Sequence, residues 1–144
     1  LLKDLTLIKI YGRKILLSHG DSLCTDDIEY QSFKNKVRNE SWKNEFLKKP
    51  LTERIHIANE FRKQSELNKK NKSEEIMDAN PEEVNRILTQ FNYPDFFIHG
   101  HTHRPNYHSI NLDGHQMQRV VLGDWYEQGS YLTLDLHGIK TYQL

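Results

Sequence analysis

His101 and His103 stand two residues apart, directly after the apolar run Phe96-Phe97-Ile98 and inside the string His99-Gly100-His101-Thr102-His103-Arg104. Neutral imidazole is a common ligand for divalent transition metals. On an extended backbone, residues two apart project to the same side, so this spacing predicts two rings able to meet neighbouring metal ions. Arg104 adds a planar cation suited to phosphate oxygens, and Gly100 is expected to let the backbone come close to the site. A lone His-x-His is frequent by chance and reads as an exposed polar loop. The six-residue string at the end of an apolar strand is far more specific, and it points to metal-assisted chemistry on a phosphate.

A second polar triplet, His19-Gly20-Asp21, closes another apolar run, Lys14 to Ser18. Layered α/β folds place their chemistry at the C-terminal ends of strands, so both histidine strings sit where a site is expected. Leu5 to Ile10 and Lys14 to Ser18 read as strands joined by Tyr11-Gly12-Arg13. From Asp26 to about Lys72 strand signals vanish. Tyr30, Phe33 and Val37, then Trp42, Phe46 and Leu47, then Ile55, Ala58 and Phe61 recur at helical spacing. Two or three short helices are expected there, broken near Asn39-Glu40 and at Pro50. Asn80-Pro81-Glu82-Glu83 opens a further helix whose stripe is Val84, Ile87, Leu88 and Phe91. Strands are expected at Phe96 to Ile98, Tyr107 to Leu112, Met117 to Leu122, Ser130 to Leu136 and Ile139 to Tyr142, with Asp113-Gly114 as a turn.

The 144 residues, 36% apolar and 28% charged, suit one soluble domain. No apolar run approaches the roughly 20 residues that cross a bilayer. The single cysteine, Cys24, excludes an internal disulfide and permits a reducing compartment; it reads as a packed residue rather than a nucleophile. The zero net charge conceals an asymmetry: residues 34–72 hold 12 Lys and Arg against 5 Asp and Glu, net +7, and the remainder is net −7. A basic segment of this kind attracts phosphates or an anionic membrane face, or serves as a solvated helix surface.

Gly-His-Thr-His closing one strand and His-Gly-Asp closing an earlier one resemble the second half of the calcineurin-like metallophosphoesterase signature. The resemblance implies an α/β fold, the C-terminal part of a four-layer αββα sandwich with a helical cap insertion over 26–72 of a domain covering 1–144. It implies two metal ions, with His19 and His101 on the second and His103 on the first, and with Asp21 in a supporting role. His19 to Asp27 with Tyr30-Gln31, Ile76-Met77-Asp78, Ile98 to Pro105 and Val120 to Trp125 are similar, in order, to one subfamily, the UDP-2,3-diacylglucosamine diphosphatases of lipid A synthesis.

That similarity implies two manganese ions and hydrolysis of UDP-2,3-diacylglucosamine at its α-phosphate, with His101 and His103 helping to orient the phosphate. Asp27, Tyr30, Arg62, Ser65, Lys69, Lys72 and His101 would contact the substrate, Lys69 with least support. Arg62, Lys69 and Lys72 fall at roughly helical intervals. Ile55, Ile57 and Phe61, or Trp42, Phe46 and Leu47, could line an acyl trough or pack the cap against itself. The implied setting is a cytoplasmic monomer, peripheral on the inner-membrane face, that binds no nucleic acid.

Asp-x-His, Gly-Asp and Gly-Asn-[His/Arg]-[Asp/Glu] motifs, which precede the histidines in that superfamily, have no counterpart before His19. The chain is therefore expected to be N-terminally truncated, entered midway, and inactive alone. Asp135-Leu136-His137 and Gly123-Asp124 imitate the missing strings, but the first reads as a hairpin turn and neither is assigned a metal. His99 reads as a core or supporting residue, and His56, His108 and His115 receive no role. Two other readings are another calcineurin-like phosphoesterase and a non-catalytic basic module for lipid or nucleic acid. Lysines without interleaved aromatics around Lys63 to Lys72 weaken the nucleic-acid case.

Overall fold

In a computed structural model, the structure describes residues 2–70, 72–73, 75–126 and 129–144, without the side chains of residues 69 and 70. In chain order the elements are β1 (Thr6–Ile10), β2 (Arg13–Ser18), α1 (Ile28–Arg38), α2 (Glu40–Lys48), α3 (Leu51–Lys70), α4 (Pro81–Gln90), β3 (Phe96–His99), β4 (Asn106–Leu112), β5 (His115–Val121), β6 (Ser130–Asp135) and β7 (Gly138–Gln143). They form two compact units, one of Leu1–Leu23 with Ala79–Leu144, the other of Cys24–Asp78.

The first unit is α/β, built on a mixed five-stranded sheet of order β1-β2-β3-β5-β4. β2, β3 and β5 run parallel in its centre, and β1 and β4 are antiparallel edges. Each edge strand joins its neighbour through two left-handed residues, Tyr11 (φ +50°) with Gly12 (+78°) and Asp113 (+54°) with Gly114 (+79°). Two-residue turns of that hand match the twist of paired strands. β3 lies between two parallel neighbours and all four of its residues are buried, as a central parallel strand requires.

Alternation along the strands makes two cores. Leu16 and Phe97, with Met117, meet Val84, Ile87 and Leu88 of α4 on one face. Ile15, Phe96, Ile98 and Val120 fill the other face, where Leu132, Leu134 and Ile139 of the β6–β7 hairpin pack. α4, the large sheet and the hairpin thus form three layers. Asn80 caps α4 by accepting the N–H groups of Glu82 and Glu83, with Pro81 in its first turn.

The second unit is helical. Asp27 caps α1 through the N–H of Tyr30, and Asn39 both ends α1 and caps α2. Lys49 is extended (ψ 148°) before Pro50, the conformation that proline imposes on its predecessor. Both expected breaks are present, but α3 runs for 20 residues rather than being short. Its second half contains few apolar positions, yet Arg, Lys, Gln, Glu and Leu are all strong helix formers. α1 and α2 bury no residue fully. Packing comes from aromatic contacts: Phe33 and Phe61 edge to face at 5.0 Å, Trp42 stacked on Phe46 at 5.0 Å, and Trp42 beside Phe61 at 6.2 Å. Of the residues considered for an acyl trough, Trp42, Phe46 and Phe61 pack together, whereas Leu47 and Ile55 are exposed.

Candidate metal centre

Parallel register brings the candidate residues to one edge of the sheet. Ser18 of β2 is level with His99 of β3, and His99 with Val121 of β5. The next residues therefore leave three adjacent strand ends together: His19-Gly20-Asp21, Gly100-His101-Thr102-His103 and Leu122-Gly123-Asp124. The backbone links them, since the Gly100 N–H donates to the His19 carbonyl at 3.1 Å and the Leu122 N–H to the His99 carbonyl at 2.8 Å.

Here the His19 and His101 rings meet edge to face, with centroids 5.0 Å apart. Two imidazoles on one tetrahedral or octahedral ion hold their centroids roughly 5 Å apart, given metal–nitrogen bonds of about 2 Å. This pair fits a shared divalent cation. His103 has a different partner: its Nδ1 lies 3.3 Å from Asp124 Oδ2, and its ring stacks at 5.7 Å on Tyr126. His103 and Asp124 also border a cleft of about 700 Å³ lined by Tyr131 and Tyr142. Among the described residues, no group of three or more His, Cys, Asp and Glu side chains is arranged to hold a metal ion. The two imidazoles would give such an ion two neutral donors, and no third donor is grouped with them among the described residues.

One expectation about this loop fails. His101 and His103 are not on extended backbone; their φ angles are +69° and +54°. A tight turn, in which the Thr102 N–H donates to the Gly100 carbonyl at 2.9 Å, replaces the strand and gives the two rings separate partners. The close backbone approach also belongs to Gly20 rather than Gly100. Gly20 has φ +105°, and a Cβ there would lie 2.6 Å from the Gly100 oxygen and 2.8 Å from His99 Nδ1. Gly100 would meet nothing nearer than 3.6 Å.

Asp21 is fully buried. Asp4, a residue given no role by sequence, fastens the His19 loop from outside. Its Oδ1 accepts the Ser18 hydroxyl at 2.7 Å and the His19 N–H at 3.1 Å, and its Oδ2 accepts the Ser22 hydroxyl at 3.3 Å. Burial raises the Asp4 pKa, but these bonds outweigh it and hold the carboxyl below its usual range. By sequence Asp124 reads only as the imitation of a motif. The signal that locates it is its place after a third apolar strand, readable only once β5 is known to be parallel to β3. Asp135 is the plain turn expected, accepting the N–H groups of His137 and Gly138.

The remaining candidates lie in the helical unit. Asp27 and Lys72 face each other there, with Lys72 Nζ 2.5 Å from Asp27 Oδ1 and 3.0 Å from Glu29 Oε2. Burial lowers the Lys72 pKa, but the bonds to Asp27 and Glu29 more than offset this and raise it above the ordinary lysine value. Tyr30 is half-buried, and Arg62 and Ser65 are exposed. Arg62, Ser65 and Lys69 share one face of α3 by their spacing, although the Lys69 side chain lies outside the described residues. Lys72 does not continue that face, because it stands in a bend outside α3 (Leu51–Lys70).

No family model matches the chain. It is similar to curated proteins named UDP-2,3-diacylglucosamine hydrolase: 42% identical to that of Cellvibrio japonicus over 96% of this chain and 58% of the relative, 42% identical to that of Xanthomonas campestris over 100% and 61%, and 45% identical to that of Aromatoleum aromaticum over 94% and 55%. Identity at this level along nearly the whole chain makes it a homologue of these hydrolases. It spans about three-fifths of their length.

Proposed function

We propose that this chain, as a homologue of the UDP-2,3-diacylglucosamine hydrolases, is the C-terminal part of an enzyme that cleaves the diphosphate of UDP-2,3-diacylglucosamine in lipid A biosynthesis. Water adds to the α-phosphorus and the P–O–P bridge breaks, giving UMP and 2,3-diacylglucosamine 1-phosphate. The observation that carries this reading is the convergence of His19, His101 and His103 on adjacent parallel strand ends. Its architecture is that of a metallophosphoesterase, a four-layer αββα sandwich of which α4, the sheet and the β6–β7 hairpin supply three layers.

His19 and His101 would hold one of two manganese ions and His103 the other, with Asp124 orienting the His103 ring. Such a pair of ions, when bound, supplies Lewis-acid polarisation and a nucleophilic water at neutral pH. Imidazole and oxygen donors are compatible with manganese. His101 and His103 orient the phosphate, and Arg104 neutralises its oxygens. On the helical unit, the proposed cap of residues 26–72, Asp27, Tyr30, Arg62, Ser65, Lys69 and Lys72 contact the acylated glucosamine phosphate. Three neutral imidazoles cannot balance four metal charges, so carboxylates from the rest of the enzyme complete the site, and the chain alone is inactive.

UMP release from UDP-2,3-diacylglucosamine tests the proposal. A protein as long as its relatives is expected to turn over with manganese and to stop with His19→Ala or His101→Ala, while the 144-residue chain releases no UMP. Normal turnover in both alanine variants would overturn the metal assignment.

A further inference from the structure

His99 lies between the metal-binding expectations without belonging to them. It is fully buried. Its Nε2 is 3.1 Å from Arg119 Nη1 and its Nδ1 is 2.9 Å from the Gly100 carbonyl oxygen. A guanidinium only donates hydrogen bonds, so Nε2 must be the acceptor. The proton of the neutral ring is then on Nδ1, where it donates to Gly100. The same carbonyl accepts the Thr102 N–H, and the N–H of the same residue holds the His19 carbonyl. The backbone of Gly100 thus ties the turn carrying His101 to the loop carrying His19. Gly20, packed against both His99 Nδ1 and the Gly100 oxygen, allows the close fit.

From this geometry we infer that His99 is a positioning residue, a buried brace locked in one tautomer by Arg119, that fixes the Gly100 carbonyl and with it the spacing of the His19 and His101 rings. The inference rests on the proposed metal reading for its consequence, though not for its geometry. Arg119 reaches His99 because β5 pairs with β3 in a register that sets Arg119 level with Phe97, on the face that Phe97 shares with His99. The ring also leans on Phe97, with centroids 5.4 Å apart, so packing and hydrogen bonding act on one imidazole.

Two measurements test the brace. In the metal-free, nitrogen-15-labelled chain, the His99 ring is expected to show a neutral imidazole protonated at Nδ1, and Arg119→Met is expected to mix the tautomers. In the protein at its relatives' length, manganese titrations followed by electron paramagnetic resonance are expected to show binding weakened about 10–100-fold in His99→Leu and Arg119→Met, the usual effect of removing a group that orients a metal ligand. His99→Asn keeps a donor near the Nδ1 position and is expected to stay within a few-fold of wild type. A ring protonated at Nε2 overturns the inference, as does a folded His99→Leu protein with undiminished affinity. Should His99→Leu not fold, the native ring spectrum and Arg119→Met decide. If the wild type binds no manganese or cleaves no substrate, the functional reading falls, and the ring spectrum judges the brace by itself.

Discussion

At the scale of single residues, the centre depends on short approaches that tolerate no added atoms. Gly20 is the clearest case. Alanine there would have to hold φ near +105° and place a methyl group 2.6 Å from a carbonyl oxygen. Strain and overlap of this kind cost about 2–3 kcal/mol together. Urea unfolding of Gly20→Ala is expected to show an unfolding free energy lowered by that amount, and a loss below about 0.5 kcal/mol would contradict the tight fit. Histidine composition alone did not separate the eight imidazoles; partners did. His19 and His101 share one approach, His103 goes to Asp124, and His99 is buried as a brace. Sequence offers the first three as candidates because they follow apolar strands, but it could not assign them partners that come from other segments.

Secondary elements do separate work in the two units. Three parallel strand ends collect the two histidine loops and the Asp124 loop, and their register depends on which strands are neighbours, information that no local pattern contains. In the helical unit, Asp27 caps α1 while also pairing with Lys72, which follows the end of α3, so one carboxylate closes the unit's first and last segments. Only 16% of the Lys72 side chain and 11% of the Asp27 side chain are exposed. Lys72→Met is expected to lower stability by roughly 1.5–3 kcal/mol at neutral pH, the ordinary value of a hydrogen bond to a charged group. The folded Lys72 pKa is raised, so its contribution is complete below the unfolded value of about 10.4 and disappears as pH climbs through the higher folded value. Denaturation curves of wild type and Lys72→Met are therefore expected to converge above that range. A gap that persisted there would assign the effect to packing instead.

For the whole molecule, charge segregation matters more than net charge. The net +7 carried by residues 34–72 accompanies exposed Leu47, Leu51 and Ile55, which lie beside Lys48, Lys49 and Arg54 in sequence. No helix among the described residues is long and apolar enough to cross a membrane. Exposed leucines flanked by lysines suit shallow contact with an anionic bilayer, where each cation near the surface contributes about 1 kcal/mol at low salt. We expect the chain to float with phosphatidylglycerol vesicles at low salt, to be released at high salt, and to float less with Leu47→Asp and Leu51→Asp. Equal flotation with neutral vesicles would remove the electrostatic argument.

By itself the sequence determined most of the elements and suggested a kind of chemistry. Period-two and period-3.6 patterns, the Asn80-Pro81 opening, the Asp113-Gly114 turn and the break at Pro50 all act through neighbours along the chain, so they are legible in one dimension. HGHTHR and His19 raise the expectation of metal chemistry for the same reason, as their residue types and strand-end positions are local facts. Tertiary structure alone decided which strands lie side by side, and so why Asp124 belongs beside His103 and Arg119 beside His99. It also turned the His101–His103 segment from extended backbone into two left-handed residues, because the Gly100 carbonyl is fixed by groups on either side of it. The proposed metal centre would be an agreement among several strand ends. Only the register of the sheet, set by burial on both faces, brings them to one edge.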